Sequence, residues 1–252
     1  MKKQFRSFDD ARKFARSLSL RSGSEWKKLA INKHLPKDIP HDPAKSYKKE
    51  WKGWNISGID FNSFGVEKFN PDIIDEVTIG NAFHIIEDYE KENKKFDVCM
   101  IHNVLEHVID PRKLLHRLRN LCTQNGLLVI TIPNDFSRVQ LRAYELEFIK
   151  KRFWIVPLQH LHYFNTINIR PFVEEMNFKI ADIYSTFPID FFLYHHGSNY
   201  ILDEKNGKPA HRARIELDLI MAEAGLENYH SLCQSLSSCN VGRDFTVILE
   251  QK

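Results

Sequence analysis

The chain has 252 residues, of which 42% are hydrophobic and 27% are charged, and this composition is typical of a globular protein. Its net charge of +3 is unevenly distributed, because residues 1–54 hold 15 Lys and Arg against 6 Asp and Glu, while residues 55–252 hold 21 against 27. No apolar run approaches the roughly 18 residues that span a bilayer, and no apolar core follows the first lysines. These features exclude a membrane-spanning protein and predict a cytoplasmic location.

Residues 1–54 are predicted to form a small basic helical module. Ser7 and Asp10 form an S-x-x-D capping box before an apolar stripe, and Ser24 is the candidate cap of a second helix. Four aromatic residues are expected to cluster there, namely Trp26, Tyr47, Trp51 and Trp54. A basic surface with aromatic side chains suits a nucleic-acid partner. The alternative is a solvated helical unit that packs on the rest of the chain or on another copy.

Residues 55–252 alternate between short apolar runs and helical patterns. Strands are predicted at residues 56–60, 77–79, 96–101 and 126–132, and helices at residues 83–91 and from Pro111, where Asp110 is the cap. This alternation predicts an α/β fold with a Rossmann-like, doubly wound, mostly parallel sheet. In such sheets ligands bind beyond the carboxyl ends of the strands.

Polar side chains follow three of these strands. Asp60 ends the first strand, where a carboxylate can accept both hydroxyls of a ribose. Asn81 follows the second strand and can reach an adenine edge as donor and acceptor. Each of these two signals is also compatible with an ordinary turn. The third segment, residues 102–111, joins a buried strand to a capped helix and carries the strongest local signal.

Residues 96–111 read F-D-V-C-M-I-H-N-V-L-E-H-V-I-D-P, and residues 125–135 read N-G-L-L-V-I-T-I-P-N-D. Together they resemble the corresponding stretch of class I S-adenosylmethionine-dependent methyltransferases, including the ubiquinone-biosynthesis O-methyltransferases. The resemblance covers residues 55–252 and includes a substrate-side insertion at about 134–225 and a last strand at 242–248. It implies S-adenosylmethionine as the cofactor and a small molecule, such as a sugar or another metabolite, as the methyl acceptor.

The resemblance also implies roles for individual residues. The cofactor side comprises Asp60, Phe61, Asn81, Ala82, His102, Asn103 and Leu105. The acceptor side comprises His107, His160 and His162, of which one can take a proton as the methyl group transfers, although positioning alone can also suffice. The alternative is that these histidines are bonded to the backbone or lie in an aromatic lid.

No metal is expected from the sequence. The H-x-H pair formed by His160 and His162 needs further ligands for zinc, and the sequence does not place them. Some ubiquinone-pathway relatives hold a metal with an acidic pair, but this chain has Asn103 at the first acidic position. The cysteines, which include no C-x-x-C, are expected to be reduced thiols.

Residues 7–22 read S-F-D-D-A-R-K-F-A-R-S-L-S-L-R-S, and E-W, L-P-K-D-I-P and P-A-K-S-Y-K-K-E-W-K-G-W follow by residue 54. With this pattern, residues 5–54 resemble the repeat unit of some phage-type integrases. The first strand of the methyltransferase and its G-x-G-x-G loop, expected about 20 residues before Asp60, are not found, and no G-x-G occurs in the chain. We therefore interpret the chain as a chimera joined at residues 51–54, with a truncated and inactive methyltransferase as one outcome. The alternative is a non-enzymatic body with a basic interaction module. An unpaired sheet edge would favour a homo-oligomer.

Overall fold

The computed structural model describes residues 5–18, 26, 29–30, 34–40, 46 and 56–252. The chain divides into two compact units, Met1–Ile79 and Gly80–Lys252. The predicted boundary between residues 54 and 55, the predicted join, and Ser24, Tyr47, Trp51 and Trp54 lie outside the described residues. Among the helices in the described ranges, none combines the length and the apolar character that crossing a bilayer requires.

As far as residue 133 the predicted strands and helices of the body appear in the predicted order, with one further α-helix and a 3-10 helix between the first two strands. The first unit contains α1 (Phe8–Ser17), β1 (Gly58–Asp60), α2 (Phe64–Phe69), a 3-10 helix (Pro71–Glu76) and β2 (Val77–Ile79). The second unit contains α3 (Ala82–Lys91), β3 (Phe96–His102), α4 (Pro111–Leu121), β4 (Cys122–Pro133), α5 (Arg138–Glu145), α6 (Ile169–Glu174), β5 (Phe178–Ser185), 3-10 helices (Ile189–Tyr194, His196–Ser198, Glu204–Asn206), α7 (Gly207–Glu223), α8 (Leu226–Cys239) and β6 (Asp244–Gln251).

The first helix begins where the capping box predicts it. The Ser7 hydroxyl oxygen accepts a hydrogen bond from the Asp10 backbone N–H at 3.2 Å, and the same hydroxyl donates to the Asp10 carboxylate at 2.7 Å. The apolar face of α1 packs in a small core with partly buried aromatic side chains, which include Trp26. The buried members of this core are Ala11, Ala30, Leu35 and Ile39. The described part of the basic segment therefore contains a helix with a small apolar core, and the helical module of residues 1–54 stays a prediction.

The strands of the first unit form a parallel pair. The register places Gly58 opposite Val77 and Asp60 opposite Ile79, so β1 and β2 end at the same edge. Each strand has three residues.

The sheet of the second unit has four strands in the order β3-β4-β6-β5. β3 pairs with β4 in parallel, whereas β6 runs antiparallel to both β4 and β5. Three strands therefore run in one direction and only β6 runs against them, which confirms the predicted α/β class with a mostly parallel sheet. β5 lies inside the segment predicted as an insertion, residues 134–225, and forms an edge of this sheet.

Alternate residues of β4 and β6 form the centre of the core. Their fully buried side chains are Leu128, Ile130, Ile132, Phe245, Val247 and Leu249. The opposite face of β4, which carries Val129 and Thr131, is only partly buried. The near-continuous apolar run predicts burial on both faces, but the strand period of two places one set of side chains in the core and leaves the other half-covered.

The outer edge of β3 has no partner strand among the described residues. On this strand Met100 is 71% exposed and Val98 is 41% exposed. An apolar strand with an unpaired edge is a template for pairing with another chain. The predicted homo-oligomer remains a prediction.

Gly242 precedes β6 at a close backbone contact. A Cβ atom added there would lie 2.2 Å from the Ser185 Cβ and 2.8 Å from the Thr186 carbonyl oxygen. The neighbouring chain is also tied in place, because the Asn134 side-chain amide donates to the Gly242 carbonyl at 2.8 Å. A side chain at this position has to displace backbone.

We therefore expect Gly242→Ala to destabilise the second unit by about 1–3 kcal/mol, the usual cost of overpacking. Urea unfolding followed by tryptophan fluorescence measures the change as a lower midpoint. Gly207→Ala is the matched control, since nothing lies within 4 Å of an added Cβ there. Equal urea midpoints for Gly242→Ala and Gly207→Ala would contradict the close backbone contact at Gly242.

Candidate functional site

In the first unit, Asp60 and Phe61 are both accessible. The Asp60 Oδ1 accepts a hydrogen bond from the Asn62 backbone N–H at 3.0 Å, whereas Oδ2 receives none from the described residues. The Phe61 side chain is 81% exposed. The carboxylate at the end of β1 therefore keeps one oxygen for an external donor.

In the second unit, Asn81 and Ala82 begin α3. The Asn81 Oδ1 accepts a hydrogen bond from the Phe83 backbone N–H at 2.9 Å, so its side chain caps the helix. Ala82 is the first residue of that helix. The sequence does not predict this helix cap for Asn81, and the amide nitrogen of the side chain remains able to donate.

The end of β3 carries three further predicted residues in different environments. His102 is the last residue of β3, and its side chain is exposed. Asn103 has a positive φ of 52°, and its backbone N–H donates to the Thr131 carbonyl at 2.9 Å, which ties the turn to β4. Leu105 is fully buried, side chain and backbone alike.

Two predicted histidines meet in a cluster with two acids. The His107 and His160 rings pack edge to face with centroids 5.0 Å apart. The Glu106 Oε1 lies 3.6 Å from the His107 Nε2, and the Asp135 Oδ2 lies 3.4 Å from the His160 Nδ1. We call these residues, Glu106, His107, Asp135 and His160, the histidine–carboxylate cluster.

Backbone hydrogen bonds hold the two halves of the cluster together. The backbone N–H groups of Leu161 and His162 both donate to the Glu106 carbonyl, at 2.8 and 3.2 Å. The His107 Nδ1 lies 2.6 Å from the Gln159 carbonyl oxygen, which is the backbone bond that the alternative reading of His107 predicts. The His162 ring is outside the cluster, since its Nε2 lies 3.4 Å from the Ile109 carbonyl.

The two acids of the cluster are buried without hydrogen-bond donors. Glu106 and Asp135 are each 1% exposed, and no described residue donates a hydrogen bond to either carboxylate. Burial raises the pKa of Glu106 and raises the pKa of Asp135 to about 7, and the Arg243 guanidinium opposes the rise at Asp135. Burial also lowers the pKa of His160, which favours the neutral imidazole.

Arg243 and Asp190 extend this charged region. The Arg243 Nη1 is buried and lies 3.7 Å from the Asp190 Oδ2, which also accepts a hydrogen bond from the Gln140 amide at 3.1 Å. The Tyr200 hydroxyl donates to the other oxygen of Asp190, and burial raises the pKa of that hydroxyl. Both carboxylate oxygens of Asp190 therefore accept hydrogen bonds from side chains of the protein, whereas those of Glu106 and Asp135 accept none from the described residues.

None of the acids of this region, nor Arg243, was among the predicted site residues. Glu106 lies beside His107 in the sequence, and Asp135 comes two residues after the end of β4, near the carboxyl end of a strand as Asp60 is. The rule that ligands bind at carboxyl ends of strands, applied to the strand at 126–132, would have indicated Asp135. Arg243 precedes the last strand, and nothing in its local sequence marks it as a neighbour of Asp135.

Two described surface cavities lie away from these residues. One, of about 490 Å³, is lined by residues that include Arg112, His116 and Phe178, and the other, of about 610 Å³, by residues that include Lys95 and Gln251. Neither has a predicted site residue in its wall.

Solved structures of methyltransferases resemble this chain at low identity. An S-adenosylmethionine-dependent methyltransferase from Archaeoglobus fulgidus is 16% identical with a TM-score of 0.44, and the match covers 77% of this chain and 75% of that one. The plantazolicin methyltransferase BamL, in complex with a triazolic desmethylPZN analog and SAH, is 12% identical with a TM-score of 0.42, covering 83% and 73%. The phosphoethanolamine N-methyltransferase 2 of Haemonchus contortus, in complex with phosphomonomethylethanolamine and S-adenosylhomocysteine, is 18% identical with a TM-score of 0.41, covering 83% and 46%.

A comparison with curated protein sequences finds no match. A family model described as a methyltransferase domain matches residues 41–183, which is more than half of the chain. The domain implies S-adenosylmethionine as the cofactor. The strand–helix order and the mostly parallel sheet agree with this match, and the chain therefore belongs to the methyltransferase-domain family.

Proposed function

We propose that this chain transfers a methyl group from S-adenosylmethionine to a small molecule. The observation that carries the proposal is the histidine–carboxylate cluster beyond the carboxyl ends of the parallel strands β3 and β4. Ligands of α/β sheets bind at that end of the strands. Family membership supports the chemistry, and the cluster supports a binding site for the acceptor.

On the cofactor side, Asp60 accepts hydrogen bonds from the ribose, beside Phe61. The free Oδ2 of Asp60 supports this role, because hydrogen bonds to a charged group contribute about 1.5–3 kcal/mol each. Asn81 and Ala82 lie at the adenine, where the unused amide nitrogen of Asn81 can donate. The remaining residues, His102, Asn103 and Leu105, lie beside the methionine part.

The sulfonium of the bound cofactor supplies an electrophilic methyl group. The protein's contribution is to hold the accepting atom in line with it, and positioning of this kind can lower a barrier substantially without a catalytic base. The acceptor lies against His107 and His160, with His162 at the rim. The sequence has no G-x-G, the motif that lets a backbone approach a cofactor closely, so cofactor binding is the decisive property to measure.

Calorimetric titration with S-adenosylmethionine and S-adenosylhomocysteine tests the cofactor side. We expect binding that Asp60→Ala weakens by roughly 10- to 150-fold, the equivalent of one charged hydrogen bond. Asp75→Ala is the matched control, since Asp75 is an exposed acid of the same unit outside the predicted site.

No heat with either ligand on a folded sample would contradict cofactor binding. The non-enzymatic alternative would then be favoured, and the methyltransferase match would describe ancestry alone. Equal affinities of the wild type and Asp60→Ala would contradict only the role of Asp60.

Transfer of labelled methyl groups to a panel of small hydroxyl and amine compounds tests the acceptor side. We expect His107→Gln to lower the rate about 100-fold, because a misplaced acceptor costs that much. His116→Gln on the exposed face of α4 is the control and should retain the wild-type rate. A His107→Gln rate equal to that of the control would exclude the cluster from the acceptor site.

For the basic residues 1–54, the sequence predicts an integrase-type repeat and allows a nucleic-acid partner. Their resemblance to an integrase-type repeat and a nucleic-acid partner both remain predictions, and no observation on the described residues favours them over methyl transfer.

A further inference from the structure

Glu106, His107 and His160 present ligand atoms to one point. One carboxylate oxygen of Glu106 and one ring nitrogen of each histidine all lie within 4.8 Å of one another. Glu106 and His107 are adjacent in the turn after β3, and the backbone hydrogen bonds from Leu161 and His162 to the Glu106 carbonyl bring His160 to them. Backbone hydrogen bonds therefore hold the three residues close together, whatever their side chains bind.

The ring of His107 is oriented as a ligand would be. Its Nδ1 lies 2.6 Å from the Gln159 carbonyl oxygen, which can only accept a hydrogen bond, so Nδ1 carries the proton. In the neutral ring Nε2 then has a lone pair, and it faces the Glu106 Oε1 at 3.6 Å. Two acceptors that face each other at this distance need a proton or a metal cation between them. Histidines that bind metals typically donate their other ring nitrogen to a backbone carbonyl in this way.

Buried polar atoms without hydrogen-bond partners are an independent indication that the cluster binds a cation. Both oxygens of Glu106 and the Nδ1 of His160 are buried, and none has a hydrogen-bond partner among the described residues. A buried carboxylate without a donor or a cation is costly. Asp135 adds a second carboxylate beside the His160 ring at 3.4 Å, again without a hydrogen-bond donor of its own.

We propose that Glu106, His107 and His160 bind a divalent transition-metal ion, with Asp135 holding the His160 ring or completing the ligand set. The inference rests on the geometry of the cluster and does not depend on methyl transfer. Two imidazoles and a carboxylate form a borderline ligand set that suits zinc and neighbouring first-row ions. Ligand bonds of about 2.0–2.2 Å require the three groups to close around the ion, and such a set leaves a position open for a further ligand.

The exposure of His107 provides a route for the ion. Its side chain is 43% exposed, whereas that of Glu106 is 2% exposed and that of His160 is 16% exposed. An ion can therefore reach Nε2 from solvent and then meet the buried carboxylate. The sequence predicts no metal at the H-x-H pair of His160 and His162, and His162 takes no part in this set, because its ring faces the Ile109 carbonyl.

The test is calorimetric titration of the chelator-treated full chain with Zn²⁺, with Co²⁺ absorption as a second readout of the ligand set. We expect one ion per chain, and a loss of affinity of about 100-fold or more in Glu106→Gln, His107→Gln and His160→Gln. His162→Gln is the matched control, since it removes a nearby imidazole outside the set and should keep the wild-type affinity. Circular dichroism confirms that each variant is folded.

Several outcomes would overturn the proposal. These are the absence of Zn²⁺ and Co²⁺ binding to folded wild-type protein, equal binding by all four variants, or a loss confined to His160→Gln and His162→Gln. Binding that survives in all variants would come from other side chains, such as the exposed Cys239. The titration contains neither cofactor nor acceptor, so its failure is distinguishable from a failure of methyl transfer.

Discussion

The parallel pairing of β3 with β4 is the constraint on which the candidate site depends. The register pairs His102 with Thr131, so both strands run toward the same edge of the sheet and the turns after them begin side by side. One turn carries Glu106 and His107, and the other carries Asp135. Residues far apart in the chain therefore face the same imidazoles, and a shift of this register would separate them.

A second consequence of the sheet is an excess of buried negative charge. β6 runs antiparallel to β4 and places Asp244 opposite Pro133, so Arg243 enters the same region as Asp135. Arg243 is closest to Asp190, which already has hydrogen-bond donors, whereas Glu106 has none among the described residues. Burial of carboxylates under these conditions raises their pKa values or recruits a cation. The raised pKa values of Glu106 and Asp135 and the proposed metal site have this common origin.

The sequence predicts correctly the helices and strands that depend on neighbouring residues, such as helix caps and apolar runs. Ser7 caps α1 and Asp110 caps α4 through hydrogen bonds that need only residues three positions apart. The apolar runs of β3 and β4 also appear as strands. β5 was not predicted as a strand, and its register with β6 shifts between Ile180 and Asp182. Such an irregularity breaks the strict alternation on which strand prediction relies.

The sequence by itself determined the order of the main strands and helices up to residue 133, the family, and the histidines from which a site could be built. These properties depend on spacing along the chain, on caps and on a motif of consecutive residues. Only the tertiary structure decided that His107 and His160 meet while His162 turns away, and that Glu106, Asp135 and Arg243 surround them. Such contacts depend on strand register and on hydrogen bonds between distant backbone groups, and neither leaves a pattern in the local sequence.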